Sequence, residues 1–223
     1  MASIFANGTL VSISSTFSEA QTISAITNAA SAVATVSGTL SQGDIVLLAS
    51  GWSGINQRAA RVSAFATSAA TLGNIDTSDT DVYPTGEGAG SIIAVKDWVP
   101  INQITEVSKS GGDANYEQWQ FLEDRTGLQR QRPTYRSAKS IDLTMHFDPQ
   151  FAWYKALLSA NAAGDLRVLK IVSPSGDVAL YPVYVSFDGD PTLEINTNET
   201  VSASFALAAP YTYYPARGLI EEP

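Results

Sequence analysis

The chain has no cysteine and only one histidine among its 223 residues. Without thiols there are no disulfides, thiolate metal sites or cysteine nucleophiles, and one imidazole cannot build the multi-histidine sites that hold zinc. Positive charge is also scarce: 13 Lys and Arg face 22 Asp and Glu, for a formal net charge of −9. That balance disfavours non-specific attachment to DNA or anionic lipid. No apolar run approaches the roughly 18 residues of a helical membrane span, so no membrane association is expected. The opening "MASIFANGTLVSIS" lacks the basic and apolar regions of a signal peptide. Catalytic signatures are missing too, with no Gly-x-Ser-x-Gly elbow, Walker loop or His-Glu-x-x-His. The acidic residues sit largely in turn-like stretches such as "SDTD" and "DGD", where Asp serves the turn itself. A hydrolytic carboxylate pair is therefore not expected, and neither is a metal or cofactor. "GEGAG" at 86–90 lacks the flanking strand and helix of a nucleotide loop and reads as a linker.

What the chain does contain is β-forming sequence punctuated by turns. "TLVSIS" reads as a first strand. "FSEAQTISAITNAASAVATVSG" tolerates a helix, but its Thr, Ile and Val content and Gly38 predict two short strands. A Gly-Asp turn precedes the apolar run Ile45 to Leu48, and "INQRAARVSAFAT" with "AATLGNID" suggests a further strand pair. Beyond the loop "TSDTDVYPTGEGAG", strand-like segments resume at Ser91. Ile141, Leu143, Met145 and Phe147 alternate with Ser140, Asp142, Thr144 and His146, the period of a half-buried strand. Asp148 as N-cap, Pro149 at the first turn and Gly164 as C-cap predict one helix over 149–163, with Phe151, Tyr154 and Leu158 on its stripe. A hairpin about Pro174-Ser175-Gly176 follows, placing Val183, Val185 and Phe187 on one face. A last strand comes next, and "YTYYPARGLIEEP" reads as an extended tail. The fold class expected is mainly β, an antiparallel sandwich or barrel with one packed helix. Its division is an N-terminal strand or arm at 1–18, a β-rich subregion at 19–90, a core at 91–214 and a tail at 215–223.

One feature is out of keeping with an acidic chain. Within "FLEDRTGLQRQRPTYRSAKSIDLTMHFDP", Arg125, Arg130, Arg132, Arg136 and Lys139 crowd into fifteen residues, alongside Glu123, Asp124 and Tyr135. A solvated loop is the bland reading. Nucleic-acid binding would call for interleaved aromatics and basic surroundings, and only Tyr135 answers. The third reading pairs the loop with carboxylates on other copies of the chain, to which arginine's planar fork is suited. His146, on the polar side of its strand with Asp142, reads as a surface or interface residue rather than a ligand.

From Ser91 to Tyr214 the chain resembles the siphophage (lambda-like) major tail tube proteins. The resemblance is carried by the long loop before the alternating strand, by "WYKALLSANAAGDLRVLKIVSPSGD", and by "YVSFDGDPTLEINTNETVSASFAL" with Asn198, Glu199 and Phe205. The N-terminal "GTLSQGD" region is similar to a small β module of phage tail proteins, without that module's usual histidine. The resemblance implies a structural virion protein, made in the host cytoplasm, whose hexameric rings stack into a long non-contractile tube. DNA would pass through the lumen without specific binding, and tape measure, tail terminator and tail-tip proteins would be partners. The basic loop would then contact neighbouring subunits, and Asp142, Thr144 and His146 would face the lumen or a subunit contact. The competing readings are a tail-tip or host-binding module and a tail-associated hydrolase.

Overall fold

The computed structural model describes residues 7–193 and 195–216. Its architecture is mainly antiparallel β with a single helix. The first strand, β1 (Leu10–Phe17), is interior, paired to β7 (Gly90–Ile101) on one side and β12 (Arg167–Val172) on the other. It is therefore a structural strand of the body rather than an arm. Val11 and Ile13 point into the core, and the buried Ser14 hydroxyl accepts the Val168 N–H at 2.9 Å.

The strands β2 (Gln21–Ile26), β3 (Val33–Val36), β4 (Ile45–Ser50), β5 (Ala59–Ala66) and β6 (Ala69–Leu72) run in the order β2-β3-β6-β5-β4-β7. The first half of β7 pairs back to β2, so these strands close into a small barrel and leave no open edge. The two strands expected between Ser18 and Gly38 are both present, because Ile23 and Ile26, on either side of a β-bulge, and the alternate positions Ala34 and Val36 fill the barrel interior. Gly43 takes φ +95° in the Gly-Asp turn, and the Asp44 carboxylate closes it on the Ser41 N–H at 2.8 Å. Trp52 plugs the barrel and donates its indole N–H to the Pro84 carbonyl at 2.8 Å.

The expected linker at 86–90 is instead packed. A Cβ at Gly90 would lie 1.9 Å from the Ala49 carbonyl oxygen, and one at Gly88 would press on Trp52. The barrel also leans on the rest of the chain through Leu47, Ala59, Val95, Val168, Leu180 and Tyr214. The Tyr214 hydroxyl takes the Arg61 N–H and donates to the Gly73 carbonyl, both at 2.8 Å. Tyr214 belongs to a short strand, β15 (Thr212–Tyr214), on β13 (Val178–Ser186). This part of the expected tail is thus built into the body, while 217–223 lie outside the described residues.

Beyond β1 the sheet continues β12-β13-β14-β11-β8, with β8 (Ile104–Ser110), β11 (Ser140–His146), β13 (Val178–Ser186) and β14 (Thr200–Leu207). The hairpin turn at 174–176 forms as expected, with Gly176 at φ +89°. This curled sheet wraps one face around α1 (Ala152–Ala163), burying Ile141, Leu143, Met145, Val183, Phe187 and Phe205. The helix begins three residues later than its sequence signals suggest. Asp148 caps a preceding turn through the Gln150 N–H at 2.9 Å, and Phe151 holds the N-cap in extended geometry without a side-chain bond. Packing accompanies the late start: Phe147 and Phe151 both rest against the core, with the turn at 149–150 between them, before Trp153 enters. The buried centre of the helix is Trp153, Leu157 and Ala160, flanked by half-buried Phe151, Tyr154 and Leu158. Gly164 ends it at φ +65°, donating to the Ala160 carbonyl.

Candidate assembly surfaces

Two surfaces lie outside these cores. The first is a hairpin of β9 (Ala114–Trp119) and β10 (Arg130–Arg136), which form a separate two-stranded sheet. The basic segment is therefore not a plain loop: Arg130 to Arg136 are a strand. Their pairing continues the β8–β11 ladder past a break at Gly111 and Gly112, at φ +77° and +87°. A side chain at Gly111 would collide with the Ala138 carbonyl, so glycine is what lets the two strands redirect together. All seven residues of β10 are exposed. So are Tyr116, Leu122, Leu128 and Tyr135.

Within the hairpin, Arg132 meets its cross-strand partner Glu117 at 3.4 Å, and Arg130 lies 4.0 Å from Asp124 and over the Phe121 ring. Arg136 donates to the Gly112 carbonyl at 3.2 Å. Arg125, Arg136 and Lys139 have no ion-paired carboxylate among the described residues. Asp124 is held below the usual carboxylate range by the Thr126 hydroxyl and then the Thr126 N–H, which together shape the tip turn. Glu123 stands in the same exposed turn. Such exposed pairs add little stability, and an isolated two-stranded hairpin is marginal in water. Among the described residues, none covers this one.

The second surface is the polar side of β8, β11, β14 and β13. Asp142 sits between Ser108 and Ser204, and Thr144 between Glu106 and Ser202. Ser186 continues the Asp142 row on β13, and His146 pairs with Thr200. The expected trio Asp142, Thr144 and His146 is thus brought onto one face, each half-buried, and its Ser and Glu neighbours come from strands not singled out in the sequence. Their signal was legible: Thr200, Ser202 and Ser204 alternate with Val201, Ala203 and Phe205 in "TVSASFAL". Among the described residues of these strands, no lysine or arginine lies on this face. Lys109 of β8 lies on the other side, with its ammonium 3.1 Å from the Tyr181 hydroxyl. The described residues hold no cluster of metal-ligating side chains, and no helix is long and apolar enough to cross a membrane.

A family model described as phage tail tube protein, TTP, matches residues 50–216. The chain belongs to the phage tail tube protein family. It is accordingly a structural component of a phage tail and hence of the virion, in a family that is not enzymatic. Among solved structures it is similar to a chain in the virion of a native gene transfer agent particle, at 15% identity and TM-score 0.41 over 52% of this chain and 88% of that one. It is also similar to a chain in the tail of an empty gene transfer agent particle refined with C6 symmetry, at 14% identity and TM-score 0.42, over 53% and 87%. No curated protein matches it.

Proposed function

We propose that copies of this tail tube protein close into six-fold rings, that the rings stack into a non-contractile tube, and that DNA passes through it during ejection. The observation that carries this reading is the broad polar face of β8, β11, β14 and β13, opposite the core and free of lysine and arginine. Antiparallel sheets commonly leave one polar face to water; what suits this one to a DNA conduit is that it carries hydroxyls and carboxylates without cations. Each lumen cation would make a phosphate contact and release counterions, and repetition along a tube would hold the duplex in place. Ser, Thr, Asp and Glu let it slide. Positive charge is instead carried outward on the β9–β10 hairpin, whose Arg125, Arg130, Arg132, Arg136 and Lys139, with Glu123, Asp124 and Tyr135, serve contacts between copies. The barrel from β2 to β6 packs beside that face, against Leu180 and Tyr184 of β13, and takes the outside of the tube. The ends of such a tube are taken by tape measure, terminator and tip proteins.

Negative-stain microscopy and sedimentation of concentrated protein test the proposal. Rings or tubes with six-fold symmetry are expected, growing with concentration. A monomer at high concentration in several salts would overturn it, and capture of duplex DNA by the hairpin would overturn the account of the lumen.

A further inference from the structure

The chain contains a single Asn-Gly pair, Asn7-Gly8, at the entrance to β1. Both residues are exposed and stand in a turn, with Gly8 at φ +91°. A Cβ built on Gly8 would meet the Pro174 ring at an unstrained 3.7 Å, with no other neighbour close by. Asn7, Gly8 and Thr9 also line an open cleft of about 510 Å³ beside β8, which includes Glu106, Lys109 and Tyr181. The Asn7 side chain therefore has room to turn and water to meet it. Among the described residues, none holds it by a hydrogen bond. The other asparagines are restrained in one of two ways. Asn28 donates to the Thr77 and Tyr83 carbonyls, and Asn74 to the Tyr213 carbonyl. The amide oxygens of Asn56 and Asn161 accept the Ser50 and Phe187 N–H groups. Asn102, Asn115, Asn196 and Asn198 precede Gln103, Tyr116, Thr197 and Glu199, whose side chains crowd the following backbone nitrogen.

We infer that Asn7 is a site of spontaneous deamidation in the folded protein. The Gly8 backbone nitrogen attacks the carbon of the Asn7 side-chain amide. The bond from that carbon to the amide nitrogen breaks, and the Gly8 N–H proton leaves with it as ammonia. The succinimide so formed takes up one water and opens at either carbonyl, to aspartate or to isoaspartate. Water is the sole co-reactant, so the step needs no oxidant and no second protein. Glycine favours it because it puts no Cβ in the path to the nitrogen and enters unusual backbone angles at little steric cost. Either product adds a negative charge at neutral pH to the cleft beside Glu106 and Lys109. Isoaspartate also inserts a methylene into the main chain just before Leu10, whose pairing with Val172 opens the β1–β12 ladder. That end of the ladder frays in converted chains, while buried Val11 and Ile13 hold the strand beyond it.

Full-length protein held warm at mildly alkaline pH, sampled over weeks and mapped by mass spectrometry, tests it. Cleavage after Glu19 releases residues 1–19, in which Asn7 is the sole side-chain amide, so any conversion of amide to acid there belongs to it. Labelling by an isoaspartyl methyltransferase separates isoaspartate from aspartate. Asn7 should convert at least about ten-fold faster than any other asparagine, and Gly8→Ala should slow it by a similar factor. Asn7→Gln, whose longer side chain would have to close a larger ring, should leave the peptide unconverted, and it replaces Gly8→Ala if the strain at φ +91° unfolds that variant. Hydrogen exchange at residues 9–12 should quicken in aged wild type and stay unchanged in aged Asn7→Gln. Earlier conversion of another asparagine, conversion of Asn7 only after unfolding in urea, or equal rates with Gly8→Ala would overturn the site. Full conversion without faster exchange would overturn the fraying of β1.

Discussion

β11 and β10 are consecutive strands separated by only three residues, yet they have opposite surroundings. In β11, Ile141, Leu143 and Met145 are buried and the residues between them half-buried. In β10 every residue is exposed. Both extend the same long hairpin, so the backbone ladder is common to them, and what differs is whether a third layer exists to receive side chains. β11 has α1 across its core face and β14 and β8 on either side; β10 has only β9 beside it. Hydrogen bonding alone therefore sets the shape of the upper hairpin, while apolar burial sets the stability of the lower one. A strand with no burial of its own is what the proposed contact between copies calls for.

The strongest way to break this comparison is to put a charge where burial rules. Leu143→Asp, at a position with no exposure, should cost about 4 kcal/mol or more by leaving an unpaired carboxylate in the core. Chemical denaturation should show the loss of cooperative folding. If this variant melted like the wild type, β11 would not be the half-buried strand described. Next comes the junction: Gly111→Ala should strain the positive φ and press on the Ala138 carbonyl, at a cost of about 1–2 kcal/mol. Hydrogen exchange should localise it to the hairpin and the top of β8, with the barrel unaffected.

On the exposed storey, Arg130→Glu with Arg132→Glu breaks one pair exposed on both sides and one long pair whose arginine is exposed, so monomer stability should change by less than about 1 kcal/mol. Assembly, measured by sedimentation, should weaken clearly, and high salt should mimic part of that loss. Thr144→Asp on the polar face should shift stability by about 0.5 kcal/mol or less, in contrast to Leu143→Asp one residue away.

The smallest effect concerns protons. Asp124 at the hairpin tip and Asp177 in the body's turn are both held below the usual carboxylate range. Side-chain hydroxyls are the leading cause in each, Thr126 for the first and Ser175 for the second. Since the folded values are depressed, the stabilisation is present above the unfolded Asp value of about 3.9 and disappears as pH falls through the folded values. No change is expected near neutrality. Carboxyl-carbon NMR titration of Thr126→Ala should return Asp124 toward the ordinary range and leave Asp177 where it was.

Much of this was readable from residues alone because local rules and burial agreed. The alternation from Ser140 to Phe147, the Pro174-Ser175-Gly176 turn and the Gly164 cap each follow from positions close in sequence, and each appears in the structure. The polar face was readable in part, since its strands carry their alternation openly. β10 was not readable as a strand: "RQRPTYR" has no apolar beat and contains a proline, and its conformation is inherited from the ladder that β11 and β8 begin below it. The late helix start depends on where Phe147, Phe151 and Trp153 meet the core, and β15 exists because Tyr214 finds Arg61 and Gly73 some 140 residues away in sequence. Closure of the barrel likewise needed β7 to return to β2. Periodicity, turns and caps are written within a few residues of where they act. Strand partners, closure and the company a strand keeps on its second face depend on segments that meet only after the chain has folded, and no local pattern encodes them.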